Sequence, residues 1–155
     1  MRKRIIRHAP SLAATEGWLD LEKIASVEVT SEDGAFPIEA ALALKDTQGW
    51  RAAEPGVQTI RLIFDQPQSI KRVYLLFVEK ETQRTQELTL RSSSDRGESF
   101  QEIVRQQWNF SSPDATRETE NYAVELLRVT MLDLTIDPDR EHRTARASLL
   151  SLRLA

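Results

Sequence analysis

Alternation of apolar and polar residues with a period of two dominates this chain. Over 59–65, Ile60, Leu62 and Phe64 share one side, while Thr59, Arg61 and Ile63 share the other. A strand sends successive side chains to opposite faces, so this pattern predicts a half-buried strand. Over 70–78 both sides are apolar, with Val73, Leu75 and Phe77 on one and Tyr74, Leu76 and Val78 on the other. That predicts a central strand, partly covered on its second side. Val27 and Val29 mark a short strand before the turn signal Glu32-Asp33-Gly34. Further strands are predicted around Leu88 and Leu90, and over 100–110 with Ile103, Val104 and Trp108. Three more follow around Tyr122, Val124 and Leu126, around Leu132, Leu134 and Ile136, and around Leu150, Leu152 and Leu154.

The punctuation between these runs is polar. Asp65-Gln66-Pro67-Gln68 is expected to end one strand, and Asp137-Pro138-Asp139-Arg140 another. Residues 79–87 and 111–120 read as solvated loops. Pro37 followed by an alanine-rich run predicts one or two helical turns over 36–42. Tyr122, Leu126 and Val129 also fit a helical spacing, but the neighbours are strands and the run after Tyr122 alternates, which favours a strand. The pattern predicts an all-β jelly-roll sandwich of about eight antiparallel strands with one short helical turn.

Length and composition narrow the picture. The 155 residues fit a single domain, 1–155, with 1–24 as an N-terminal extension that packs on the sandwich or frays from it. There is no cysteine, which removes disulfides, thiolate nucleophiles and cysteine-ligated zinc. Formal net charge is −3, from 21 basic and 24 acidic residues, and such a balance opposes nucleic-acid capture by clustered cations. The start, Met1-Arg2-Lys3-Arg4-Ile5-Ile6-Arg7-His8, is basic but lacks the apolar run of a signal peptide. No window approaches the ~20 apolar residues of a membrane span. The expectation is a cytoplasmic protein without a membrane partner; oligomeric state is left open.

Little candidate chemistry stands out in the chain. Trp50 and Trp108 are the aromatic platforms on which a sugar ring could stack, weighed against a core role for each. Trp18 is expected to anchor the N-terminal segment. Asp137, Asp139 and Glu141 imitate the start of a calcium loop, but His142 stands where glycine is required and Ser148 where glutamate is required. A solvated acidic hairpin loop is the better reading. His142 and Arg143 are candidates to contact an anionic or hydroxylated ligand. The candidate ligand-binding set is Trp50, Arg51, Trp108, His142 and Arg143. No catalytic set is visible: there are two histidines, no G-x-S-x-G and only five glycines.

The order of several motifs carries a resemblance. Val29-Thr30-Ser31-Glu32, Pro37-Ile38-Glu39-Ala40-Ala41-Leu42, Gly49-Trp50-Arg51-Ala52-Ala53 and Gln58-Thr59-Ile60-Arg61-Leu62-Ile63-Phe64-Asp65 succeed one another. Ser92 to Phe100 follows as S-x-x-D-x-G-x-x-F, and the chain closes on Ala147-Ser148-Leu149-Leu150-Ser151-Leu152-Arg153-Leu154. Taken together these resemble the galactose-binding-like superfamily, in particular the discoidin or coagulation-factor type C domains. A more distant likeness is to the N-terminal domain of XRCC-type DNA-repair scaffolds, although the acidic balance opposes DNA binding. The resemblance implies a jelly roll that binds carbohydrate, lipid head group or protein through loops at one end. Many carbohydrate-binding members also hold calcium, which here would sit near Asp46 and Thr47. The late glutamate of that site is replaced by Ser151, and Lys45 adds a positive charge, so no cofactor is expected. The functional expectation is a non-catalytic, carbohydrate-binding-like module, with an intracellular protein-interaction scaffold as the alternative.

Overall fold

The computed structural model describes residues 1–3, 17–45, 48–79, 83–111, 115–141 and 144–155. Two short helices, α1 (Leu21–Ile24) and α2 (Ile38–Leu42), accompany eight strands. These are β1 (Ala25–Val29), β2 (Trp50–Pro55), β3 (Gln58–Val78), β4 (Arg84–Ser93), β5 (Gln101–Phe110), β6 (Arg117–Asp137), β7 (Arg146–Leu149) and β8 (Ser151–Leu154). The architecture is the antiparallel β-sandwich that the alternation predicts.

Two long strands build both layers. The first half of β3 lies between β1 and the second half of β6, which continues through β4 to the edge strand β5. The second half of β3 pairs with the first half of β6 on one side and β8 on the other. Pro67 was expected to end a strand; instead β3 runs through it and bends. The register jumps between Ile63, Gln68, Ile70 and Arg72, so no regular ladder bond is asked of the proline there. Opposite this bend Arg128 adopts φ +56°, and the two segments read separately around Tyr122 and Leu132 become one strand. A further two-stranded ribbon, β2 with β7, pairs Trp50 with Leu149 and Arg51 with Ser148.

The core is the interior of this sandwich. Ile60, Leu62 and Phe64 are each 1% exposed, and Leu88, Leu90, Leu134 and Ile136 face them from β4 and β6. The doubly apolar run of β3 has the second cover its pattern predicts: Trp18, Leu44, Leu150 and Ala155 pack over Tyr74 and Leu76. Trp18 lies 6.0 Å from the Tyr74 ring and beneath Arg72, while Leu19 N–H donates to the Leu154 carbonyl. Gly49 has φ +74°, and a Cβ there would meet the Leu149 carbonyl oxygen at 2.5 Å, so the β2–β7 junction requires glycine on two counts.

Two segments expected to be solvated loops contain buried polar residues. Arg84 and Gln86, within the polar run over 79–87, are buried in β4. Asp139, expected in a solvated acidic hairpin, is 3% exposed.

Candidate functional site

The sandwich opens at one end into a groove of about 510 Å³, where β3 finishes, β6 begins and β7 passes into β8. Trp50 and Leu149 form an apolar floor, both buried. Polar side chains line its walls: Gln48, Arg51, Glu79, Arg117 and Ser148, with Phe36 beside them. The volume lies within the range of small-molecule sites.

Local structure places each wall. Phe36 N–H donates to the Asp33 carbonyl, and Ala35 N–H to Asp33 Oδ1, so residues 33–36 form a tight turn. Glu32 Oε2 accepts from Ile38 N–H at 2.8 Å and fixes the entry to α2. The turn is then stitched to β2, because Arg51 N–H donates to the Phe36 carbonyl and Asp33 N–H to the Arg51 carbonyl. The Arg51 guanidinium lies over the Phe36 ring, 4.9 Å from its centroid. Such a contact fixes a planar cation while leaving its edge N–H groups free to donate.

The opposite wall is held from behind. Glu79 N–H donates to the Thr116 carbonyl, and Glu79 Oε2 meets Arg84 Nη2 at 3.1 Å. Arg84 is 5% exposed and donates from Nη1 to the carbonyls of Pro138 and Arg146. Burial pulls its pKa below the ordinary arginine value, against the opposing pull of Glu79 and Asp139. Arg84 also lies 5.5 Å from the Phe110 ring centroid, which ties the wall to β5.

Of the sequence candidates, the groove brings together Trp50 and Arg51 only. Trp50 is 1% exposed and its Nε1–H donates to the Ser31 carbonyl at 3.0 Å, so both its ring and its polar edge are committed to the core. It supports the groove from below and offers no open face. Trp108 lies elsewhere on β5, half-buried, 5.1 Å from Phe77 and 6.0 Å from Phe110. It reaches the groove only indirectly, through Phe110 and Arg84. His142 and Arg143 lie outside the described residues, as do Asp46 and Thr47 of the calcium set. Ser151, which takes that set's glutamate position, presents a buried neutral hydroxyl. Among the described residues no three histidine or acidic side chains are placed to hold a metal.

Sequence reading missed Phe36, Gln48, Glu79, Arg117 and Ser148. The register that sets Arg117 against Val78 depends on a pairing across 39 positions of chain, which no local pattern reports. The S-x-x-D-x-G-x-x-F motif is structural. Asp95 accepts from Ser93 Oγ, Ser99 Oγ and Ser99 N–H, and these bonds hold its carboxyl down to about 2. This loop caps the other end of β4, away from the groove.

No family sequence model matches the chain, and no curated protein sequence matches it. Solved structures do. The family 32 carbohydrate-binding module of NanJ from C. perfringens, in complex with galactose, superposes with a TM-score of 0.64 at 10% identity, covering 88% of this chain and 96% of that one. The family 32 module of AlyQ, in complex with 4,5-unsaturated mannuronic acid, gives 0.63 at 16% identity, covering 86% and 95%. A pectin-binding carbohydrate-binding module gives 0.60 at 20% identity, covering 85% and 90%. The AlyQ module also occurs in a truncated protein with an alginate lyase domain, of which this chain covers 32%. At these identities the likeness establishes the fold alone, the antiparallel β-sandwich of these modules.

Proposed function

We propose that this chain is a non-catalytic carbohydrate-binding module whose ligand occupies the groove at the β3–β6 end. The observation that carries this reading is the groove's composition: half-buried apolar side chains of Phe36, Val78 and Leu150 among guanidinium, amide, hydroxyl and carboxylate groups. A pyranose presents both an apolar face and a ring of hydroxyls, and such polar groups satisfy the hydroxyls while the apolar side chains exclude water. The fold supports the reading, since structures that share it carry galactose or an unsaturated mannuronic acid. Arg51 is the candidate from sequence that fits a direct ligand contact; Trp50 fits a supporting role.

The non-catalytic part of the reading rests on the same walls. Among the described residues, the acidic lining residue Glu79 is occupied by Arg84. A nucleophile with a positioned base, or a pair of free carboxyls, is what acyl or glycosyl transfer would need.

Affinity electrophoresis through gels containing single polysaccharides tests this. Retardation by at least one polysaccharide is expected, with no release of reducing ends on prolonged incubation. Free migration through every gel would favour the protein-interaction alternative, and release of reducing ends would overturn the non-catalytic part.

A further inference from the structure

We infer that the groove selects a sugar bearing a carboxylate, with Arg51 and Arg117 as the residues that read the charge. This rests on the carbohydrate reading above and deepens it. Six arginines among the described residues are paired with carboxylates. Arg61 and Arg91 meet Asp133, Arg84 meets Glu79, Arg105 meets Glu87 and Glu102, Arg140 meets Glu87, and Arg146 approaches Asp33. Arg51 and Arg117 both line the groove, both are exposed, and neither has a carboxylate partner among the described residues.

Among the described residues the groove lining is therefore cationic, within a chain of net charge −3. Glu79, its acidic lining residue, does not cancel this, because Arg84 Nη2 sits 3.1 Å from its Oε2. Arg51 is also set in place beforehand, with its guanidinium over Phe36 and its backbone bonded into the 33–36 turn. A planar, fixed guanidinium suits a planar carboxylate, which it can grip through two parallel N–H bonds. Phe36, Val78 and Leu150, half-buried in the lining, supply the apolar surface that a pyranose face covers and that a bare inorganic anion would leave empty. The ligand that uses both features is a pyranosyl uronate, free or within a polymer.

Affinity electrophoresis with polygalacturonate, its fully methyl-esterified form and a neutral galactan separates the possibilities. The esterified polymer keeps the sugar ring and removes the charge. The expected result is retardation by polygalacturonate, weakened by esterification and by added NaCl, since exposed ion pairs are screened. Arg51→Gln and Arg117→Gln should each weaken retardation by about tenfold, as loss of one charge-assisted contact does. Arg140→Gln, outside the groove, should leave it unchanged, and circular dichroism of each variant checks that the fold persists. Equal retardation by polygalacturonate and its ester, or retardation by galactan alone, would overturn this inference and leave the carbohydrate reading intact. No retardation by any of the three, or by the wider panel, would remove both. Equal weakening by Arg140→Gln would indicate general charge attraction and would also overturn it.

Discussion

Trp50 illustrates how one residue type serves two readings. Its position after Gly49 and before Arg51 makes it a candidate platform, but the ring is 1% exposed and Nε1–H is spent on Ser31. Trp50→Ala should therefore cost about 3–5 kcal/mol in urea unfolding, the cost of truncating a buried aromatic. A loss within about 0.5 kcal/mol, as for an exposed contact residue, would contradict the assignment. Gln86 poses the reverse case. It is 0% exposed on β4, and neither amide atom has a hydrogen-bond partner among the described residues. Leaving such a group unsatisfied is costly, so Gln86→Met should raise stability by about 1 kcal/mol. A fall would mean that the amide is satisfied, for instance by an ordered water. Sequence could not report either fact: tryptophan is compatible with floor and platform alike, and a glutamine amid charged residues reads as solvent-facing.

Most strands were legible from an apolar face, but β2 and β7, where only Trp50 and Ala52 or Ala147 and Leu149 turn inward, were not. Ile60, Leu62 and Phe64 specify their strand and its buried side, and Tyr74 with Leu76 announce a second covering layer. What local pattern could not reveal is that β3 and β6 each continue through a bend, because Pro67 looks the same at a strand end and at a bulge. The inner face of β6 also holds a group that titrates near neutrality. Glu118 pairs with Phe77, on the side that faces the core, beside Glu120. Burial, reinforced by the neighbouring Glu120, pushes its carboxyl from 4.5 up to about 7. The unfolded chain releases this proton near 4.5 and the folded chain only near 7. Between those values the folded state holds the extra proton, so stability should fall as pH rises from about 4.5 to about 7. Asp95, with its lowered value of about 2, acts below this window and in the opposite direction. Urea midpoints at pH 5 and pH 7 should differ for the native sequence and converge in Glu118→Gln. A native midpoint that rises with pH across this window, with the same rise in Glu118→Gln, would contradict the assignment.

At the scale of the molecule, the fold class was readable because it depends on the order of many loose signals. The site was not, because it depends on where distant loops meet. Arg51 was named from sequence, whereas Phe36 and Arg117 enter only when the 33–36 turn docks on β2 and β6 pairs with β3. His142 and Arg143 fall outside the described residues, and Trp108 sits one layer behind the groove. The proposed ligand of the groove at the β3–β6 end is a carbohydrate. A glycan array probed in parallel with the native protein and with Arg51→Ala tests this most directly. A defined set of bound glycans is expected, lost or weakened by about tenfold or more in the variant while its unfolding midpoint stays close to native. Glycan binding that is unaffected by Arg51→Ala would place the site elsewhere, and an array with no bound glycan at all would contradict the claim outright.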